Sequence, residues 1–199
     1  QVFSFKAPSK EELDHDFLWR TAVRIPERGR IGVFNRSYYE EVLVVRVHPA
    51  YLTGQNLPNQ PELDVLWAER FESIADWEKH LARNGTVIMK FWLNVSRREQ
   101  HKRFRRRIDE PRSNWKFNDG DLKESERWED YMEAYQTTLN ATSSVDAPWY
   151  AIPADDKAYM RMVVSDLVER RLESLNLAYP EPSAEERAQL AAYREQLLP

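Results

Sequence analysis

Apolar and polar positions run along this chain in two rhythms. Short apolar runs at Val2 to Phe5, Ile31 to Phe34, Thr86 to Leu93 and Trp149 to Ile152 read as strands, the third most strongly because of its β-branched and aromatic content. The longer stretches between them carry apolar residues every third or fourth position. Ser9-Lys10-Glu11-Glu12 is a capping box that opens a helix to about Val23, with Leu13, Phe17 and Leu18 inward. Leu63 to Leu81 predicts a helix burying Leu66, Trp67, Phe71, Ile74 and Trp77, stopped by Asn84-Gly85 in left-handed geometry. Ser96 opens a helix ending near Asp109, before Pro111. Asp121 starts another, to about Ala141. A long one runs from Asp155 or Asp156 to about Leu175, with Met160, Val163, Val164, Leu167, Val168, Leu172 and Leu175 as its stripe. After Pro180 and Pro182, a second capping box, Ser183 to Glu186, opens a polar helix to Leu197. Val42 to Val47 fits either type: its β-branched residues favour a strand, and Tyr39, Val42, Leu43 and Val47 share one helical face. Tyr51 to Pro61 and Pro111 to Gly120 read as loops.

Strands alternating with helices predict an α/β fold, a parallel sheet with helices on both faces. The run from Ile31 to Phe34 suits a parallel strand covered on both sides. In such a sheet, ligands bind beyond the carboxyl ends of strands. The polar turn Asn35-Arg36-Ser37, followed by two tyrosines and two glutamates, therefore stands where chemistry would be placed. It also suits an ordinary strand-to-helix turn capped by Asn35.

The 199 residues fit one domain with a substantial core, and seven tryptophans help to fill it. No apolar run reaches the ~20 residues that span a bilayer, and no signal peptide is visible. There is no cysteine, hence no disulfide framework and no thiolate metal site. These features fit a cytoplasmic protein with no membrane partner. The chain opens at Gln1 within a strand-like run, which suggests that further sequence precedes it.

The net charge of −4 is unevenly spread: seven of the eleven positions from Arg97 to Arg107, RREQHKRFRRR, are Lys or Arg. A basic segment on an acidic chain points to a local anionic ligand, or to a solvated helix face with internal ion pairs. A nucleic-acid or polyanion-binding module using residues 97–107 is the alternative class; the acidic balance and the lack of a recognised binding fold count against nucleic acid. None of the five glycines forms G-x-x-x-x-G-K-[ST] or G-x-G-x-x-G, no G-x-S-x-G elbow exists, and His15, His48, His80 and His101 are not at metal-ligand spacing.

FNRSYYEEVLVVRVH, FLWR (Phe17 to Arg20), WKFNDGDL (Trp115 to Leu122) and APWYAIPADDK (Ala147 to Lys157) together resemble the family-2 polyphosphate kinases, from about Val2 to Leu175. The resemblance implies the architecture of thymidylate kinase and other P-loop nucleotide kinases, with a helical lid at about 96–122 in a domain over 1–178, and a helical tail over 183–199. It implies magnesium-dependent phosphoryl transfer between inorganic polyphosphate and AMP or ADP. Adenine nucleotides are the implied partners, with guanine nucleotides as an alternative, in a homo-oligomer. Asn35, where other subgroups carry Asp, is similar to the subgroup accepting both mono- and diphosphates.

The same resemblance assigns Asn35, Arg36 and Glu40 to catalysis; if a helix starts at the turn, Glu40 lies about one turn beyond Arg36 on the same side, placed either to hold magnesium through water or to orient Arg36. It assigns Arg20, Arg46, Arg103, Arg107 and Lys116 to phosphate and polyphosphate. Trp115, Phe117 and Asp121 go to the nucleotide, while the residues alone leave open whether the Trp115 and Phe117 rings contact the base or anchor the loop to the body. The family's phosphate loop, G-x-D-x-x-G-K, would precede Val2. With that loop and the first βα unit absent from these residues, residues 1–199 alone are expected to be inactive.

Overall fold

Each short apolar run finds one parallel partner. In the computed structural model, which describes residues 1–59 and 61–197, β1 (Val2–Ser4) pairs with β2 (Val33–Asn35) in the register Val2↔Val33, Phe3↔Phe34, Ser4↔Asn35. Likewise β3 (Lys90–Asn94) pairs with β4 (Trp149–Pro153), from Lys90↔Trp149 to Asn94↔Pro153. The expected single parallel sheet is therefore two separate parallel pairs among the described residues. Gln60 of the expected loop, and Leu198 and Pro199 of the expected tail, lie outside those residues.

The helices are α1 (Lys10–Asp14), α2 (Trp19–Ala22), α3 (Val44–Val47), α4 (Leu63–Arg83), α5 (Arg97–Asp109), α6 (Asp119–Glu126), α7 (Trp128–Thr142), α8 (Lys157–Ser174) and α9 (Ala184–Gln196). Three 3₁₀ segments, Tyr38–Glu41, Pro49–Gln55 and Pro111–Lys116, replace expected loop or helix. Within Val42 to Val47 no strand forms: Val42 and Leu43 make a turn and Val44–Val47 is helical, and Tyr39, Val42, Leu43 and Val47, the residues expected on one helical face, are all buried.

Several expected boundaries move, each for a local reason. The helix expected from Ser9 to Val23 breaks after Asp14: His15 is extended, and the Asp16 carboxylate accepts from the Leu18 amide at 2.9 Å, an Asx turn competing with the helix. The helix expected from Asp121 to Ala141 breaks at Arg127, whose Nη1 donates to the Val47 carbonyl at 3.1 Å. Strand β3 starts at Lys90 rather than Thr86. The Lys90 amide donates to the Pro148 carbonyl, but Pro148 has no N–H to return and the Ala147 amide donates to Ser144 Oγ, so the ladder stops there. The run at Ile31 to Phe34 is not covered on both faces: Phe3 and Phe34 turn inward with rings 5.9 Å apart, while Val33 is 52 % exposed and Val2 75 %.

The core lies between the 38–47 segment, α4 and α7. Leu66, Trp67, Phe71 and Ile74 of α4 meet Tyr38, Tyr39, Val42, Leu43, Val45 and Val47, with Ala134 from α7, and Trp77 packs against them. Gly85 ends α4 with φ +87°, the left-handed stop read from Asn84-Gly85.

Within this core is a charged pair. Glu78 of α4 is 1 % exposed, and its Oε2 receives Lys90 Nζ at 2.6 Å. The ammonium also donates to Tyr39 Oη and the Thr142 carbonyl, each at 2.8 Å, so its three protons have three acceptors. The other glutamate oxygen accepts from both Tyr38 Oη and Tyr39 Oη at 2.8 Å. Trp149 closes the site edge-on to Tyr39, its Nε1 donating to Thr142 Oγ1 at 3.0 Å. The network ties α4, β3, α7 and the 38–41 turn at one point.

Residues up to Asp156 form one compact unit, and those from Lys157 onward a second. In the second, Met160, Val163, Val164, Leu167, Val168 and Leu172 of the expected stripe are half-buried positions of α8, while its last member, Leu175, lies beyond the helix and is exposed. The expected capping box at Ser183 and Glu186 opens α9. No helix among the described residues is long and apolar enough to cross a membrane.

Removing one member of a buried ion pair leaves the other charge without compensation. Lys90→Met is expected to cost about 3–5 kcal/mol in urea unfolding, and the double variant Glu78→Gln/Lys90→Met markedly less; equal losses in the two would contradict the pairing.

Candidate active site

Beyond the last residue of β2, the backbone does something costly. Arg36 has φ +64°, the left-handed region. The other described non-glycine residues there are Asn56 and Asn176, and asparagine tolerates that conformation. A residue without that tolerance persists there only when its surroundings impose it, at roughly 1–3 kcal/mol. The surroundings are the turn that follows. Ser37 Oγ accepts from the Tyr39 amide at 3.3 Å. Tyr38 and Tyr39 reach down to Glu78. Glu41 Oε2 takes Arg70 Nη1 at 2.7 Å and Gln55 Nε2 at 2.6 Å, with Arg70 lying against the Phe17 and Trp67 rings. Three of four consecutive side chains thus anchor the turn in the interior, and the remaining one, Glu40, faces Arg36.

Arg36 Nη1 lies 3.5 Å from Glu40 Oε2, and its side chain is 59 % exposed, so most of the guanidinium is free to meet solvent or ligand. Burial raises the Glu40 carboxyl above the usual glutamate range, Arg36 opposes that rise, Glu41 adds to it and Arg20 also opposes it. The Tyr135 hydroxyl is raised by burial and by the same Glu40 charge, with Arg36 pulling the other way. Arg36, Glu40, Arg20 and Tyr135 therefore share one electrostatic neighbourhood. Asn35, also assigned there, donates from Nδ2 to Ser4 Oγ at 3.2 Å across the β1–β2 pair.

Glu40 is expected either to hold magnesium through water or to orient Arg36. The charged group that pairs with it is Arg36, not a second carboxylate, and Glu41 is engaged by Arg70. Among the described residues no group of three or more His, Asp or Glu side chains could hold a metal ion. These residues do not by themselves make a magnesium site.

The remaining arginines have other partners. Arg20 Nη2 donates to the Lys6 carbonyl at 2.8 Å, and its guanidinium lies 5.3 Å over Phe5 and pairs with Glu12 at 3.2 Å. Arg46 lies 5.7 Å over the Phe71 ring, with Nη1 buried and without a hydrogen-bond partner.

On α5, Arg103 Nε pairs with Glu99 at 3.0 Å, and Nη2 donates to the Ala154 and Asp155 carbonyls at 2.7 and 3.1 Å. Ser96, the α5 cap, gives its amide and its hydroxyl to Asp155, each at 2.7 Å. The basic helix is thus fastened at its start to the end of β4. Arg107 Nη1 pairs with Asp121 at 3.0 Å, joining α5 to α6. Trp115 is 79 % exposed, with Lys116 Nζ 5.1 Å over its ring, while Phe117 is half-buried. Arg36, Arg103 and Arg107 are engaged with three different partners, and the site residues fall into a strand-end group and a group on α5 and the segment that follows it.

Sequence reasoning missed the Glu78–Lys90 pair. The signal was present as one lysine inside TVIMKFWL and one glutamate four residues after Ile74 on the buried face of α4.

Comparison with known proteins gives the family. The family model for polyphosphate kinase 2 matches residues 1–181. The chain belongs to the polyphosphate kinase 2 family. It is 55 % identical over 199 residues to an ADP-polyphosphate phosphotransferase of Rhodopseudomonas palustris, covering 100 % of this chain and 69 % of that one. It is 41 % identical over 182 residues to an AMP/ADP-polyphosphate phosphotransferase of Meiothermus ruber, covering 92 % and 64 %. The crystal structure of a polyphosphate kinase 2 from Arthrobacter aurescens superposes with a TM-score of 0.84 at 40 % identity, over 96 % of this chain and 65 % of that chain. The chain spans about two thirds of the length of these family members.

The Ser96–Asp155 contact at the start of α5 gives a pH test. Hydrogen bonds from the Ser96 amide and hydroxyl hold the Asp155 carboxyl below the usual aspartate range. A carboxylate depressed on folding adds stability above its unfolded value and loses it as pH falls through the folded one. The Ser96 amide resonance is therefore expected to titrate with a midpoint below the ordinary aspartate value of about 3.9; a midpoint at or above that value would contradict the anchor.

Proposed function

We propose that the protein carrying this chain transfers phosphoryl groups between inorganic polyphosphate and AMP or ADP, with Arg36 as the main phosphate-binding side chain of the strand-end group. One observation carries the reading: an exposed guanidinium in a strained backbone conformation, at the carboxyl end of a parallel strand, on a turn anchored by three buried side chains. Phosphoryl transfer asks little covalent chemistry of a protein; it asks for position and for neutralised charge. A planar guanidinium that forks onto two phosphate oxygens supplies both. Glu40 orients it. Arg46 stays in the reading as a second phosphate-binding arginine on the strength of its place in the FNRSYYEEVLVVRVH motif. The fold under this reading is that of a P-loop nucleotide kinase.

The lid, residues 96–122, adds Arg103, Arg107 and Lys116 along the polyphosphate. Trp115, Phe117 and Asp121 face the nucleotide, with adenine the expected base. A lid of this composition closes over the phosphates and excludes water. Arg107 is held by a half-exposed carboxylate, an ion pair weak enough in water to be exchanged for phosphate. Magnesium belongs to the reading as a companion of the phosphates, which usually provide much of its coordination.

The full-length protein, given polyphosphate, magnesium and AMP or ADP, is expected to form ADP or ATP by phosphorus NMR; no turnover with either nucleotide would defeat the reading. Residues 1–199 contain no G-x-D-x-x-G-K loop and are expected to be inactive alone.

Arg36→Lys keeps the charge and loses the fork. It should lower kcat/KM by about 100-fold, the usual effect of losing one donor aimed at developing charge, with little change in melting temperature. Retained activity would remove Arg36 from the site.

A further inference from the structure

We propose that the buried Glu78–Lys90 pair, acting through the hydroxyls of Tyr38 and Tyr39, is the positioning device that fixes Arg36 and Glu40 for phosphoryl transfer. The inference rests on the function proposed above and adds Glu78 and Lys90, which none of the site motifs contains.

Its basis is connectivity. Arg36 is two residues before Tyr38, and Glu40 directly follows Tyr39. Both tyrosine hydroxyls donate to one oxygen of Glu78, each at 2.8 Å, which fixes the height and the tilt of the 3₁₀ turn between them. A single hydrogen bond would leave the turn free to pivot; two adjacent rings, 5.0 Å apart, on one acceptor do not. The acceptor itself is fixed, because Lys90 holds the other glutamate oxygen at 2.6 Å and lies 5.2 Å over the Tyr39 ring. Lys90 is the first residue of β3, and the turn follows the last residue of β2. The two strand pairs are not hydrogen-bonded to each other, so this polar contact relates the end of one to the start of the other.

The network lacks the hallmarks of a catalytic group. Glu78 is 1 % exposed, both its oxygens are engaged and every proton of Lys90 has an acceptor. Its burial also suppresses titration: the Tyr38 and Tyr39 hydroxyls are driven far above their ordinary value, first by burial and then by the Glu78 charge. Neither ionises in the working range, and the turn holds one geometry throughout it. Packing a phenylalanine ring at either position would fill the same space; the hydroxyls add direction.

The test uses the full-length protein and variants that remove one oxygen atom each. Tyr38→Phe and Tyr39→Phe are expected to lower kcat about tenfold or more, the scale expected of misplaced groups. KM for nucleotide and for polyphosphate should stay within about twofold. The deciding arm is a double-mutant cycle with Arg36→Ala: the effect of Tyr39→Phe on kcat should largely vanish in that background, because the hydroxyl acts through Arg36. A full-sized effect of Tyr39→Phe in both backgrounds, or kcat within twofold of the parent in both single variants, would overturn the positioning role and leave the phosphotransferase intact. A parent with no polyphosphate-dependent turnover would overturn the functional reading, and this inference with it.

Discussion

A lysine ammonium sealed inside a protein has to find an acceptor for each of its protons, and Lys90 finds them on three different elements. Glu78 comes from α4, Tyr39 from the turn after β2, and the Thr142 carbonyl from the end of α7. Burial lowers the lysine's affinity for its proton, and the Glu78 charge works against that loss. The ammonium cannot be moved without stranding a buried carboxylate, nor the carboxylate without stranding the ammonium. Helix, strand and turn are thereby held to one another more strictly than apolar packing alone would require, since packing tolerates sliding and a saturated polar network does not.

The consequence for chemistry is felt at the surface. The turn held from below carries Arg36 in a left-handed conformation above. A second polar cluster, Glu41 with Gln55 and Arg70, braces the far side of the same turn, and His48, Glu124 and Tyr131 join α3, α6 and α7 beyond it. The acidic and aromatic residues of the motif therefore divide the labour: most face inward and hold shape, so that one guanidinium can face outward. Preorganised charge of this kind is what a reaction governed by electrostatics demands, because no reorganisation is left for the moment of transfer.

Much of this was legible in residue patterns. The α4 stripe, both capping boxes and the Asn84-Gly85 stop follow from periodicity and side-chain chemistry confined to a few consecutive positions. The strand-end turn stood out for the same reason. Features set by distant partners did not. The break at Asp16 depends on one carboxylate choosing a nearby amide over the helix. The start of β3 depends on a proline 58 residues away, Pro148, whose carbonyl takes the Lys90 amide and which has no N–H to extend the ladder. Arg103 reads as a free cation in RREQHKRFRRR, but it is fastened to carbonyls at the end of β4. Glu78 and Lys90 are twelve residues apart, and only the fold reveals them as partners. Family motifs named the outward-facing residues and passed over the pair that holds them.

The most direct measurement is a crystal structure of the full-length protein with a short-chain polyphosphate bound. Arg36 should keep its positive φ, with its guanidinium within hydrogen-bond distance of phosphate oxygens and the Glu78–Lys90 contact unchanged beneath it. A polyphosphate bound elsewhere, with Arg36 still turned to Glu40 alone, would contradict the claim that this buried pair exists to present that guanidinium.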